Sequence, residues 1–170
     1  MGRYLITGRS GSGKSSICHE LQQRGYPAFD GDKIEGLAGW VNLKTNEAGK
    51  VDYSQPIDSS LLGWNWNDTV LREFLEAHHT VFLCGSADNN QLAFHKLFDK
   101  VFVLILEPET QRRRLLARTE HDYGKVPEMQ EKILGAQKTF VREALALGAV
   151  PIDAMVPIPK VTDQILGLCR

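Results

Sequence analysis

Gly8-Arg9-Ser10-Gly11-Ser12-Gly13-Lys14-Ser15 satisfies G-x-x-x-x-G-K-[ST] at every fixed place, and its flanks decide the fold. Before it, Arg3-Tyr4-Leu5-Ile6-Thr7 is a short apolar run of strand-forming residues. After it, Ser16, Ile17, Cys18 and Leu21 give a helical stripe that stops at Gly25. Strand, glycine turn and helix in that order point successive backbone N–H groups and a helix N-terminus at a polyanion. Lys14 is placed to reach the β and γ phosphates of a nucleotide, and Ser15 carries the hydroxyl that this motif sets on magnesium. Gly8, Arg9, Ser10, Gly11, Ser12, Gly13, Lys14, Ser15 and Ser16 are the candidate nucleotide-binding residues. A glycine turn that binds nothing leaves the agreement of all three elements unexplained.

A chain of 170 residues suits one domain over 1–170, long enough to bury about two-thirds of its unfolded surface. With 20 basic against 21 acidic residues, no overall field draws in nucleic acid or an anionic membrane, so any anion site is local. No apolar run approaches the roughly twenty residues of a membrane span. The N-terminus begins a strand at once, leaving no room for a signal peptide, and a cytoplasmic location is expected. Cys18, Cys84 and Cys169 are odd in number and scattered, which suggests neither a disulfide framework nor a zinc site. The expected assembly is a monomer or weak homodimer.

Apolar runs alternate with helical patterns along the chain, which predicts an α/β fold: a doubly wound, five-stranded parallel sheet with helices on both faces. Strands are expected at 4–7, 26–29, 81–84, 101–106 and 150–152. Helices are expected from residue 14 and at 68–78, 90–98, 108–119, 127–147 and 160–168. Between 39 and 60, Gly, Asn, Asp, Ser and Pro break any long helix, and 40–44 is expected to pair with 50–53 as a hairpin around 46–49.

Tyr26-Pro27-Ala28-Phe29-Asp30-Gly31-Asp32 ends a buried-looking strand in two carboxylates, at the sheet end that faces a ligand crevice. If this strand lies beside the first, Asp30 and Asp32 stand near the γ-phosphate, able to bind a magnesium-bound water or take a proton from an acceptor hydroxyl. Asp-Gly-Asp is also favourable turn chemistry in its own right.

With these residues in place the chain resembles the small P-loop kinases, the group of adenylate, shikimate and gluconate kinases. The Phe29-Asp30-Gly31-Asp32 end is similar to that of the shikimate and gluconate kinases, while adenylate kinase differs there. Leu106-Glu107-Pro108-Glu109-Thr110, then Arg114, Leu115 and Arg118, resemble the group's fourth strand and the helix leading into its lid. Ile152-Asp153-Ala154 with Pro157 and Val161 resemble the closing strand and loop beside adenine. The resemblance implies the P-loop NTPase fold of the nucleoside monophosphate and shikimate kinase type. It also implies ATP and Mg2+ as cofactors, an acceptor-binding insertion at about 33–66 and a short lid at about 118–127. Arg118 would contact phosphates, and Arg114 and Pro157 would lie by the adenine.

On one helix, residues 114 and 118 share a face, so both arginines can point at one ligand. Phosphoryl transfer spreads charge over equatorial oxygens that a lid arginine can neutralise. Residues 119–126 are polar and contain Gly124, suiting a lid; His121 and Lys125 within it are placed either to touch phosphate or to stay solvated.

The third strand ends Cys84-Gly85-Ser86-Ala87-Asp88 with no closing aspartate, which shifts the metal role to Asp30 through water, or to Asp88. Adenylate kinase carries an acceptor arginine after this strand, and this chain does not. Between Asp32 and Val101 the only arginine is Arg72, beside Glu73, where an exposed ion pair is expected. Trp40, Tyr53, Trp64 and Trp66 fall in the acceptor region, where indoles can stack on a base or sugar or serve as packing. His19, His78, His79 and His95 show no metal spacing.

The resulting expectation is transfer of the γ-phosphoryl of ATP to a hydroxyl-bearing small molecule: a nucleoside, sugar or polyol acid. Lys14, Asp30 and Arg118 are the catalytic candidates; Asp30, Asp32, Trp64 and Gly85 meet the acceptor; Ser15 and Asp30, through water, hold the metal. A nucleoside monophosphate kinase is the alternative enzyme. A slow ATPase acting as a switch or assembly factor through a partner is the alternative of another class.

Overall fold

The computed structural model describes residues 2–89 and 91–169. Three strands set its centre: β1 (Arg3–Thr7), β5 (Val81–Cys84) and β6 (Lys100–Ile105). β2 (Ala28–Asp30) and β7 (Val150–Asp153) close the edges, giving the parallel order β2-β5-β1-β6-β7. The central strands read as unbroken apolar runs because both faces are buried. Tyr4, Ile6, Phe82, Cys84, Phe102 and Leu104 point to one cluster, and Leu5, Val81, Leu83, Val101 and Val103 to the opposite one. Strict alternation along each strand divides them.

Helix α1 (Lys14–Gln23) buries Ile17, Cys18 and Leu21 on the first face beside α6 (Ile158–Leu168), whose Val161 and Ile165 complete it. α2 (Asp68–Glu76) and α5 (Pro127–Ala146) cover the second face through Leu71, Leu75, Phe140 and Ala144. The Asn67 side chain caps α2 by accepting from the Thr69 and Val70 amides. α3 is Gln91–His95 and α4 is Pro108–Ala117. The expected start of α3 at Asn90 lies outside the described residues.

Four expectations need correction. First, β2 does not lie beside β1; it pairs with β5, one strand further out. It also starts at Ala28, because the Ala28 amide bonds back to the Tyr26 carbonyl across Pro27, which has no N–H to give.

Second, 40–44 does not form a ladder with 50–53. β3 (Ala38–Asn42) pairs antiparallel with β4 (Leu62–Trp66), setting Trp40 directly opposite Trp64. A bridge, Val41 to Ala48, with the bonds from the Asn42 amide to the Glu47 carbonyl and from the Gly49 amide to the Trp40 carbonyl, folds 47–49, not 50–53, back along β3. β4 buries Trp66 in the core, whereas Val51 and Tyr53 are only partly buried. Third, α4 ends at Ala117, and Arg118 is already extended (φ −66°, ψ 138°). Fourth, Arg72 pairs with Asp68 one turn back at 2.8 Å, not with Glu73.

Trp66 is 3 % exposed and packs against Phe94, so it is a core residue. Its indole occupies the space a side chain would need at Gly85, where an added Cβ would fall 2.6 Å from the ring. Gly85→Ala is therefore expected to destabilise the fold by about 1–3 kcal/mol through overpacking. Urea unfolding of the variant measures it, and an unchanged midpoint would refute the close-approach reading.

Candidate active site

The phosphate loop follows β1 and bends at Gly11 (φ 83°) and Gly13 (φ 102°), a left-handed backbone that favours glycine. Its outer residues Arg9, Ser10, Gly11, Gly13, Lys14, Ser15 and Ser16 line a cavity of about 640 Å³, while Gly8 and Ser12 sit buried behind them.

Two buried glutamines that sequence reading missed hold this loop from outside. Gln111 of α4 donates to the Ser10 carbonyl at 2.8 Å. Gln137 of α5 accepts from the Arg9 amide at 3.1 Å and donates to the Leu104 carbonyl at 3.1 Å. The signal for Gln137 was a polar residue on the apolar stripe of Ile133 and Phe140.

Arg114 and Arg118 converge on the loop even though they do not share a helix. Arg114 donates to the Ser12 carbonyl at 3.2 Å and the Ala154 carbonyl at 2.8 Å; Arg118 reaches Ser10 Oγ at 3.0 Å. Both line the cavity. Pro157 does not; it precedes α6, and its neighbour Ile158 reaches the cavity instead. Lys14 Nζ bends back to the Gly8 carbonyl at 2.6 Å and the Arg9 carbonyl at 3.3 Å. Protein packed around the ammonium desolvates it and lowers its pKa to about 8; Asp32 opposes the shift, while Arg118 and Arg9 add to it.

The two carboxylates divide between two spaces. Asp32 opens into the main cavity with Lys14 and Ser15. Asp30 lines a smaller neighbouring cavity with Ser15, Cys18 and Lys33, and its Oδ1 accepts from the Asp32 amide at 3.1 Å, capping the turn. Desolvation raises the Asp32 pKa; Lys14 pulls it back down, Asp30 pushes it up, and the indole N–H of Trp64 at 3.2 Å favours the anion.

Asp88 also lines the main cavity, but its carboxylate is already engaged. Its Oδ1 pairs with Arg9 at 2.6 Å, its Oδ2 accepts from the Trp64 amide at 2.8 Å, and its own amide donates to the Trp64 carbonyl at 2.7 Å. It ties the phosphate loop to the arm formed by β3 and β4. Gly85 lies against Trp66 and does not line the cavity, whereas Ser86 does.

Residues 119–126 carry no helix or strand and pack over the arm. Tyr123 meets Trp40 at 5.8 Å and Tyr53 at 5.6 Å between ring centroids, and His121 meets Tyr53 at 5.9 Å. Burial, then Arg118, lowers the His121 pKa. Lys125 pairs with Asp122 at 2.9 Å, away from any phosphate role in this arrangement.

The donors suit magnesium. Among the described residues no group of three or more His, Cys, Asp or Glu forms an all-protein metal cage. Magnesium does not need one: it is commonly held by one or two carboxylates, water and substrate phosphates. Ser15 lines both cavities, together with Asp32 in one and Asp30 in the other.

Residues 5–135 match the family described as an AAA domain. The chain is 26% identical over 141 residues to a dephospho-CoA kinase of Streptococcus mutans serotype c, covering 66% of this chain and 71% of that protein. Among solved structures, a gluconokinase from Sinorhizobium meliloti 1021 superposes with TM-score 0.60 at 19% identity, covering 98% of this chain and 90% of that one. A shikimate kinase from Acinetobacter baumannii, in complex with shikimate, gives 0.61 at 18% identity over 97% and 90%. The fold is that of the small P-loop kinases. No helix among the described residues is long and apolar enough to cross a membrane.

Proposed function

From the premise that the chain belongs to the AAA domain family, we propose that it is a magnesium-dependent, cytoplasmic kinase. It moves the γ-phosphoryl of ATP to the hydroxyl of a small molecule that carries no phosphate of its own. The observation that carries this reading is that one cavity is lined by the phosphate loop with Lys14, by Arg114 and Arg118, and by Asp32, the carboxylate that acts most strongly on the Lys14 ammonium. Magnesium, held by Ser15 with Asp30 through water, would neutralise phosphate charge. Lys14 and the loop amides hold the transferring group, Arg118 closes over it, and Asp32 orients the acceptor hydroxyl and takes its proton.

The charges favour an acceptor without phosphate. A second phosphate beside the γ-phosphate costs a few kcal/mol per charge pair at an effective dielectric of about 20. Four of the cations outside the nucleotide end are already ion-paired: Arg9 with Asp88, Arg72 with Asp68, Arg112 with Glu131 at 2.9 Å, and Lys125 with Asp122. An ADP-release screen across matched pairs, such as a nucleoside and its monophosphate, tests this. Acceptor-dependent release with the unphosphorylated member is expected. Tighter, productive binding of the monophosphate would show the charge argument to be wrong.

Trp64 gives a finer test. Trp64→Phe keeps a ring and removes the N–H that stabilises ionised Asp32, so the acid limb of kcat/KM should move to higher pH. An unmoved limb would mean that Asp32 does not act as the base.

A further inference from the structure

We propose that the acceptor is an uncharged alcohol built on a flat ring, held by stacking on the indoles and phenols of arm and lid. The proposal rests on the kinase reading above and names the acceptor class for that site.

Three separate segments bring aromatic rings to the cavity wall: Trp40 and Trp64 from the paired strands, Tyr53 from the loop between them, and Tyr123 from the lid. Trp40 and Trp64 meet at 5.5 Å and 68°, Trp40 and Tyr123 at 59°, Tyr53 and Tyr123 at 63°. Rings at such angles make walls that meet in a corner, and a corner with π faces receives a planar group better than a flexible polyol chain.

Several polar atoms of this wall are turned on one another. The Trp40 indole N–H donates to the Tyr53 hydroxyl at 3.0 Å, the Trp64 indole N–H to Asp32, and both Asp88 oxygens accept from Arg9 and the Trp64 amide. A polyol or sugar acid seated against these atoms would have to break their bonds or leave hydroxyls unmatched there, and each buried unmatched group is costly.

Charge narrows the class further. An anionic acceptor would face Asp32 with Arg9 already neutralised by Asp88. An ammonium would suit the π faces and Asp32, but it would ion-pair the carboxylate needed to take the hydroxyl proton and would sit near Lys14. A neutral ring with one hydroxyl reaching Asp32 meets neither objection.

Binding can be measured apart from turnover, on the full chain with magnesium and a non-hydrolysable ATP analogue. The probes are adenosine and 2′-deoxycytidine as ring alcohols, gluconate and shikimate as hydroxy acids, and choline as an ammonium alcohol. A ring alcohol should bind tightest and quench tryptophan fluorescence. Trp40→Ala should weaken it about 5- to 150-fold, the range for loss of one stacking partner, with Trp40→Phe restoring most of it. ATP-analogue binding should be unchanged in both variants. Tighter binding of a hydroxy acid or of choline, or ring-alcohol binding untouched by Trp40→Ala, would overturn the proposal. ADP release with the same probes separates the two readings. Transfer to gluconate or shikimate alone would sink the ring inference and leave the kinase standing. A ring alcohol bound without transfer would do the reverse.

Discussion

Lys14→Ala is expected to lower phosphoryl transfer at least about a hundredfold, equivalent to about 2.7 kcal/mol of transition-state stabilisation, while the chain still folds. On the proposed reading Lys14 is the ammonium that the loop brings to the transferring group; without nucleotide it is held by two loop carbonyls, Gly8 and Arg9. Losing those contacts should cost the fold little, because the same packing that holds the ammonium also desolvates it. Its pKa of about 8 without nucleotide adds a second signature. Phosphate anions must raise that pKa, so ATP binding takes up a proton near pH 8, and affinity falls as pH rises above that value. Calorimetry in buffers of different ionisation enthalpy reads the uptake directly. A Lys14→Ala enzyme retaining more than about a hundredth of wild-type rate, or proton uptake unchanged by the substitution, would remove Lys14 from the role.

The sheet was legible because its physics is local. β1, β5 and β6 are short apolar runs bounded by turn residues, and the glycine loop after β1 admits few other settings. The arm was not, since Trp64 and Trp66 read equally well as residues ahead of a helix and as strand. What decides is Trp66 filling the gap at Gly85, a contact between residues 19 apart in the chain. The same limit applied to Asp88: nothing near it in sequence tells that Arg9 and Trp64 will claim both its oxygens. Arg114 and Arg118 illustrate the opposite case. Both were expected on one helix; the helix ends first, and yet both reach the loop, because the extended backbone at Arg118 carries the side chain to Ser10. Asp30 and Asp32 were legible as a pair and not as individuals. Only the turn, with Asp30 accepting the Asp32 amide, sets one toward the main cavity and the other toward its neighbour.

That division predicts unequal consequences for the two carboxylates, with Asp32→Asn the more severe. Asp32 opens on the main cavity, and desolvation raises its pKa from the ordinary carboxylate range toward the values at which a base works well. Lys14 and the Trp64 N–H oppose that rise by favouring the anion, the form that can take a proton from an acceptor hydroxyl. Asparagine keeps the size and the hydrogen bond from Trp64 and cannot take the proton. Asp32→Asn should lower kcat by about 10²- to 10⁴-fold, the usual range for a positioned general base. ATP affinity should hold or tighten, because one negative charge leaves the neighbourhood of the phosphates. Asp30→Asn, whose carboxylate lies in the adjoining cavity beside Ser15, should instead raise the magnesium concentration needed for half-maximal rate, and more than Asp88→Asn does, since Asp88 is held by Arg9. Magnesium titrations of the three variants, with ATP binding measured in parallel, test the scheme. If Asp32→Asn stays within about tenfold of wild type while Asp30→Asn collapses, the proton passes to Asp30 and the cavity that Asp32 faces is not where transfer occurs.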